Sequence, residues 1–259
     1  MRAYARLALA GFRRHSIYRG AMFAGLATNV VFGVIRMTVL VAAVSAAGPI
    51  AGYDTATSAV YVWLGQGLLA FVVLWGDTHL AERVRTGDVV VDLYRPWHLQ
   101  AALFAEDVGR AGFAVLVRLV PPVALGALLF PFRWPDPVVL PLFAVSAVLA
   151  LATSFAVRFL LNASTFWLLE NRGLLSVYNV LTPVLCGLAV PLDFFPGWAR
   201  DALWSTPFPA MIQAPIDVFL ERGSPWAVLA HQAFWAAALA ALGYFVLLRA
   251  MRKVVVQGG

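Results

Sequence analysis

Six apolar runs, near 22–46, 57–76, 111–130, 138–160, 173–192 and 226–248, constrain this chain more than any other feature. A helix rises 1.5 Å per residue, so about 20 apolar residues cross the roughly 30 Å hydrocarbon core of a bilayer. Inside that core each backbone N–H and C=O must be satisfied within its own segment, which leaves the helix as the spanning form for runs of this length. The predicted fold class is all-α integral membrane, with six transmembrane helices in a single domain over 1–259. Composition agrees: 62% of residues are hydrophobic and 12% charged, against about 25% charged in a soluble domain.

The net charge of +6 and a pI near 10 bear on topology rather than on nucleic acid. Fourteen of the nineteen Lys and Arg fall in the N-terminal tail, the 77–110 segment, the turn holding Arg158 and Arg172, and the C-terminus. The opposite loops carry Arg133, Arg200 and Arg222, while Arg36 and Arg118 lie inside runs. The positive-inside rule then places both termini in the cytoplasm, as six spans require. The N-terminus does not read as a cleavable signal, because five arginines precede a run too long for a signal core. The single cysteine, Cys186, excludes a disulfide framework within the chain and reads as a small buried apolar residue.

Residues 2–19 read as an interfacial amphipathic helix. At 100° per residue Tyr4, Leu7, Ala8, Gly11 and Tyr18 share one face, and Arg2, Arg6 and Arg13 the other, where lipid phosphates lie. The first run carries Asn29 and, near its middle, Arg36. A central arginine costs about 2.5–3.5 kcal/mol on insertion scales, so Arg36 is expected to face protein or a watery cavity. Gly65, Gln66 and Gly67 permit close helix approach. Arg118 sits where its side chain can snorkel towards the cytoplasmic end. The fourth run is read as continuing helically past Arg158 towards Glu170. In the last run, His231 and Gln232 are polar residues for either a helix interface or a translocation path.

Two stretches break the apolar pattern. The 77–110 segment holds six acidic residues and four arginines, read either as a solvated loop or as a cytoplasmic coupling segment of short helices. Gly87 suits the left-handed residue that closes a helix, and Pro96 the first turn of the next one. The second stretch, 193–224 with Pro191 before it, is rich in Pro and aromatics and poor in charge. It reads as short helices re-entering the outer leaflet, or as a hairpin resting on headgroups.

Catalytic patterns are missing. The one lysine, Lys253, follows Met251 and Arg252 rather than the glycines of a Walker A loop, so no ATP site is expected here. No HExxH or GxSxG pattern occurs, and His79 and His98, nineteen residues apart, make a weak metal set. No cofactor and no metal is expected.

With these parts placed, the chain resembles the permease subunits of ABC-2 type transporters, specifically the bacterial multidrug-export branch. The resemblance is carried by YARLALAGFRRHSIYRGAMF, RTGDVVVDLYRPWHLQ, WLLENRGLLSVYN and GLAVPLDFFPGWARDALWSTPFPAMIQAPIDVF. It implies an exporter in the bacterial plasma membrane. A second permease, identical or related, would share the substrate path, and a separate ABC ATPase subunit would hold the ATP and Mg. A small lipophilic or amphipathic substrate and membrane lipid are the other implied partners. Carried over by position, the family's Gly-Asp and Arg-Pro fall on Gly87, Asp88, Arg95 and Pro96, and its paired prolines and Pro-Phe on Pro191, Pro196, Pro207 and Phe208. With Arg83 and Arg85 beside it the first set is expected to couple to the ATPase, and with Phe194, Phe195 and Trp198 the second is expected to form an external gate; Asn29, Arg36, Arg118, His231 and Gln232, polar residues within the runs, are expected along the path. A membrane-embedded lipid-acting enzyme and a membrane anchor subunit are the alternative functions.

Overall fold

The computed structural model describes residues 2–17, 19–75, 77–168 and 170–257, and all regular elements among them are helical. The basic tail is α1 (Arg2–Ser16), followed by α2 (Arg19–Ala47) and α3 (Thr55–Val72). Two short helices come next, α4 (His79–Thr86) and α5 (Val89–Leu93). Then α6 (Leu99–Ala114) runs through a π-helical turn, Val115–Leu119, into α7 (Val120–Leu129). The chain closes with α8 (Val139–Ala163), α9 (Arg172–Leu185), α10 (Gly197–Trp204), α11 (Gln213–Phe219) and α12 (Pro225–Gln257).

Among the described residues, five helical segments are long and apolar enough to cross a membrane: Phe23–Ala47, Thr55–Val72, Leu99–Leu129, Val139–Phe166 and Pro225–Arg252. Of the six expected spans, the fifth is the one without such a helix. The run expected over 173–192 is the 14-residue α9, about 21 Å at 1.5 Å per residue and short of the bilayer core. It ends because Gly187 adopts φ +75° while the amides of Leu188 and Ala189 both turn back to the Pro183 carbonyl, at 2.9 and 2.8 Å. Two further boundaries move. The helix expected from about 111 starts at Leu99, so Glu106, Asp107 and Arg110 ride on a helix. The fourth run stops at Ala163 and a 3-10 turn, Ser164–Phe166, rather than reaching Glu170. There Ser164 Oγ and Asn171 Nδ2 both donate to the Leu161 carbonyl, at 2.7 and 3.0 Å, and take up an acceptor that a continuing helix would use.

Helix α3 is the centre of the packing, with fourteen of its eighteen residues buried. The reason is visible in its neighbours. Trp63 is fully buried and lies against Gly33 of α2 and Gly126 of α7, where an added Cβ would overlap its ring. Gly67 admits the backbone of the π turn, a Cβ there standing 3.0 Å from Leu119 Cα, which is the close approach expected of the Gly65–Gln66–Gly67 trio. Asp54 caps the start of α3 by accepting from the Thr57 amide at 2.8 Å.

The apolar face of α1 packs on α6. Gly11 meets the Glu106 carbonyl and Gly109 the Ala8 carbonyl so closely that neither position has room for a Cβ, and Phe12 stands edge-on to Phe113 at 5.5 Å. Tyr18, placed on that face by periodicity, lies outside the described residues, as do the side chains of Arg19 and Lys253. The molecule thus has a basic end, carrying α1, α4, α5 and the last turns of α12, and a proline end, carrying the 48–54, 130–138 and 187–224 segments.

Candidate functional site

At the basic end α3 stops at Val73, whose φ of +53° breaks the helix, and leaves carbonyls without helical partners. Arg110 of α6 donates to the carbonyls of Ala70 and Phe71 at 2.9 and 2.6 Å, and Ser154 Oγ of α8 to that of Val72 at 2.7 Å. Arg110 Nε also meets Asp107 at 2.6 Å, Asp107 meets Arg158 at 2.7 Å, and Arg158 meets Asp77 at 2.5 Å. Arg158 is only 4% exposed. Two arginines and two aspartates so balance one another, and breaking such a set would strand a charge in a low-dielectric site. Asn162 extends it: its Nδ2 donates to the Asp77 carbonyl at 2.9 Å and its Oδ1 accepts from the Ala81 amide at 3.1 Å. The network borders a cavity of about 880 Å³ between α1, α3, α6 and α8.

Beyond it, α4 and α5 form a hairpin. Gly87 closes α4 at φ +81°, as the sequence predicts, and nothing crowds its Cα. Arg83 pairs with Asp92 at 2.5 Å and donates to the Asp88 carbonyl at 3.3 Å, while Thr86 Oγ1 donates to Asp88 Oδ2 at 2.8 Å. Arg85 reaches Glu170, before α9, at 3.3 Å. Leu80 and Val89 bury the inner side of the hairpin against Phe159, Ala163, Phe166, Leu247 and Ala250. The outer side is open: Tyr94 is 85% exposed, Val91 is exposed, and Arg95 has a 3.9 Å contact with Asp92 and lies over the Trp97 ring. Pro96 corrects its expected place. The next helix begins three residues later, at Leu99, so Pro96 belongs to the joint and not to a first turn.

At the proline end the joint after α9 is held from inside the bundle. Tyr61 Oη donates to the carbonyls of Gly187 and Leu188 at 2.5 and 3.1 Å. Arg36, seventeen residues into α2, donates to the Leu188 carbonyl and lies 5.7 Å from the Tyr61 ring centre. Gln213 is fully buried and ties four elements: its amide donates to Cys186 O at 3.1 Å, its Oε1 accepts from the Leu192 amide at 3.3 Å, and its Nε2 reaches Tyr53 Oη at 3.3 Å and Asp217 at 2.7 Å. Burial, only partly offset by that Gln213 bond, pushes the Asp217 carboxyl up to about 8. Asp193 meets Arg222 at 3.1 Å and Arg200 at 3.6 Å, and Arg222 covers the Tyr53 ring at 4.4 Å.

A protein-family model described as ABC-2 family transporter protein matches residues 30–258. The chain belongs to the ABC-2 family. It is a multi-pass membrane protein and a membrane component for transport. No curated protein matches it.

In this ABC-2 protein the residues singled out from sequence fall into three groups. Arg83, Arg85, Gly87, Asp88, Arg95 and Pro96 share the hairpin and its joint; Arg83 and Asp88 hold it together, while Arg95 faces outwards. At the proline end Pro191 is buried, Phe194 packs edge-on to Tyr53 at 5.4 Å, and Phe208 leans on the main core. Phe195 and Pro207 are half-buried, Pro196 is exposed, and Trp198 is 78% exposed. The intramembrane polar residues do not converge. Asn29 donates to Gln66 O at 3.2 Å. Gln232 is fully buried and joins Ser146 of α8 to Ala210 O at 2.8 Å. His231 meets Thr206 O at 3.2 Å beside Trp204, and Arg118 lines the cavity with its guanidinium against Gly25.

The Asp77–Arg158–Asp107–Arg110 set escapes a reading that assigns Arg158 to a turn. Its signal was opposite charges inside apolar windows, Arg158 within 138–160 and Asp107 just before 111. Among the described residues no three His, Cys, Asp or Glu stand together as a metal set. The geometry serves to clamp helix ends and relate the two ends of the bundle.

Proposed function

We propose that this chain is the membrane-spanning permease subunit of an ATP-driven exporter, sharing a substrate path with a second permease and driven by a separate ABC ATPase that binds ATP and Mg. Membership of the ABC-2 family supports the division of labour. The observation that carries the coupling role is the α4–α5 hairpin. Its inner side is packed on α8 and α12 and its shape is fixed by internal ion pairs, yet Val91 and Tyr94 stay exposed, as does Arg95 beside Asp92 and Trp97. A rigid, well-backed tip of mixed charge suits a surface that receives a push.

The basic end is then cytoplasmic, and the proline end external. The joint at Gly187–Leu188 reaches the depth of Arg36 and Tyr61, which supports re-entry of 187–215 and its role as an external gate. The apolar faces left exposed on α2 (Val31, Ile35, Val39) and α9 (Val177, Val180, Val184) suit lipid and the second permease. A lipophilic or amphipathic compound fits a path between such faces.

The test is purification in mild detergent with the candidate ATPase, followed by substrate-dependent ATP hydrolysis. Gly87→Val should strain the joint, since φ near +81° costs a β-branched residue roughly 1–2 kcal/mol, whereas Gly87→Asn tolerates it. Arg95→Ala should weaken ATPase binding with the fold intact. Normal binding and transport with Gly87→Val and Arg95→Ala combined would remove the hairpin from the mechanism.

A further inference from the structure

The cavity at the basic end has charges that its own ion pairs do not complete. Of its charged lining, Asp77, Asp107, Arg110 and Arg158 are joined in one network. Arg14, Arg118 and Glu106 remain, so with histidines neutral the arginines exceed the carboxylates by one. Arg118 stands inside the Leu99–Leu129 segment, where charge is expensive unless something answers it. Its guanidinium lies on Gly25 of α2, an added Cβ there standing 2.6 Å from Nη2. Its Nε is buried and, among the described residues, without a hydrogen-bond partner. The rest of the lining sets His15, His79 and Asn162 beside an apolar wall of Leu69, Leu103, Phe113, Phe155 and Phe159.

We propose that this cavity binds a singly charged phosphate-type oxyanion, the head of an anionic amphiphile, with Arg118 as its fork and Arg14 of α1 as the second cation. A guanidinium presents paired donors matched to two oxygens of one phosphate. A phosphodiester carries one negative charge, which answers the one positive charge in excess. A zwitterionic head brings its own cation and gains nothing from that excess. The aromatic and aliphatic wall accepts the glycerol and first acyl carbons, and α1, an amphipathic helix along the cavity edge, belongs at headgroup level. The inference goes beyond the transport reading and holds whichever compound is moved. Free inorganic phosphate offers the same oxygens, and the experiment separates the two sources.

The full-length chain is placed in nanodiscs of phosphatidylcholine with and without a minor fraction of phosphatidylglycerol, and lipid retained per chain is read by native mass spectrometry. The expected result is one phosphatidylglycerol retained in preference to phosphatidylcholine. Arg118→Gln should lower that retention about tenfold, the size of one charge-assisted contact, and Arg118→Lys should keep part of it, since charge persists without the fork. Should Arg118→Gln fail to fold, Arg14→Gln gives a second, smaller loss, and stabilisation of the unaltered chain by phosphatidylglycerol over phosphatidylcholine needs no variant. Inorganic phosphate that displaces the lipid, or that stabilises the chain in phosphatidylcholine alone, assigns the site to a soluble anion. Equal retention of both lipids without any effect of phosphate, or equal phosphatidylglycerol retention in the unaltered chain and both glutamine variants, overturns the proposal.

Discussion

Arg158 shows how differently one residue type behaves in this chain according to burial. Its two carboxylate partners leave it 4% exposed, and removing one side of a buried pair costs about 3–5 kcal/mol because the remaining charges lose their counterion. Arg158→Met is expected to lower the detergent melting point sharply. Glu170→Gln, which breaks the exposed contact to Arg85, is expected to change it little, since such pairs contribute about 0–1 kcal/mol. Equal shifts in the two variants would disprove the central place of the network. Asp217 makes a second prediction, in pH. Its folded value near 8 stands above the ordinary 3.8, so between those values the folded chain holds a proton that the unfolded chain has lost. Stability is then greatest at low pH and falls as pH rises through this window. Melting at pH 5 and at pH 8 should differ in the unaltered chain and differ less in Asp217→Asn, whose Oδ1 can still accept from Gln213. The same decline in both would assign the pH dependence to a group other than Asp217.

At the scale of elements, α1 and α6 meet at two glycines. Because Gly109 faces the Ala8 carbonyl with no room for a Cβ, Gly109→Val should release α1. Cysteines at Phe12 and Phe113, whose rings stand 5.5 Å apart, should crosslink in a Cys186→Ser background and lose that crosslink with Gly109→Val; an undiminished crosslink would show that α1 is held by other contacts. Much of this level was legible in the sequence. Apolar length located the long helices, and Gly87 marked a joint because few residues tolerate φ near +81°. The amphipathic face of α1 was legible too, but its partner was not: periodicity says that a face is buried and not whether lipid or α6 covers it. The short α9 escaped because hydropathy sees apolar residues across 173–192 and does not register that Gly187 turns the backbone. The role of Arg158 escaped because its partners come from Asp77 and Asp107, 81 and 51 residues away, and no local pattern joins them.

Across the whole molecule α3 is the most buried element that touches both ends. Its last carbonyls are held by Arg110 and Ser154, which sit in the network leading through Asp77 and Asn162 to the start of α4. Towards its other end Tyr61 holds the Gly187–Leu188 joint and Tyr53, just before it, meets Gln213. A buried helix of eighteen residues is stiff over its length, so a displacement of its clamped end is carried to the joint rather than absorbed between them. The prediction is that Arg110→Gln, made at the basic end, raises amide hydrogen exchange at 187–195 as well as at 70–81. Tyr61→Phe provides the local control, freeing 187–195 while leaving the α4–α5 hairpin protected. If Arg110→Gln changes exchange only around 70–81, α3 anchors two independent ends, and a push on the hairpin must reach the proline end through α8 and α12 instead.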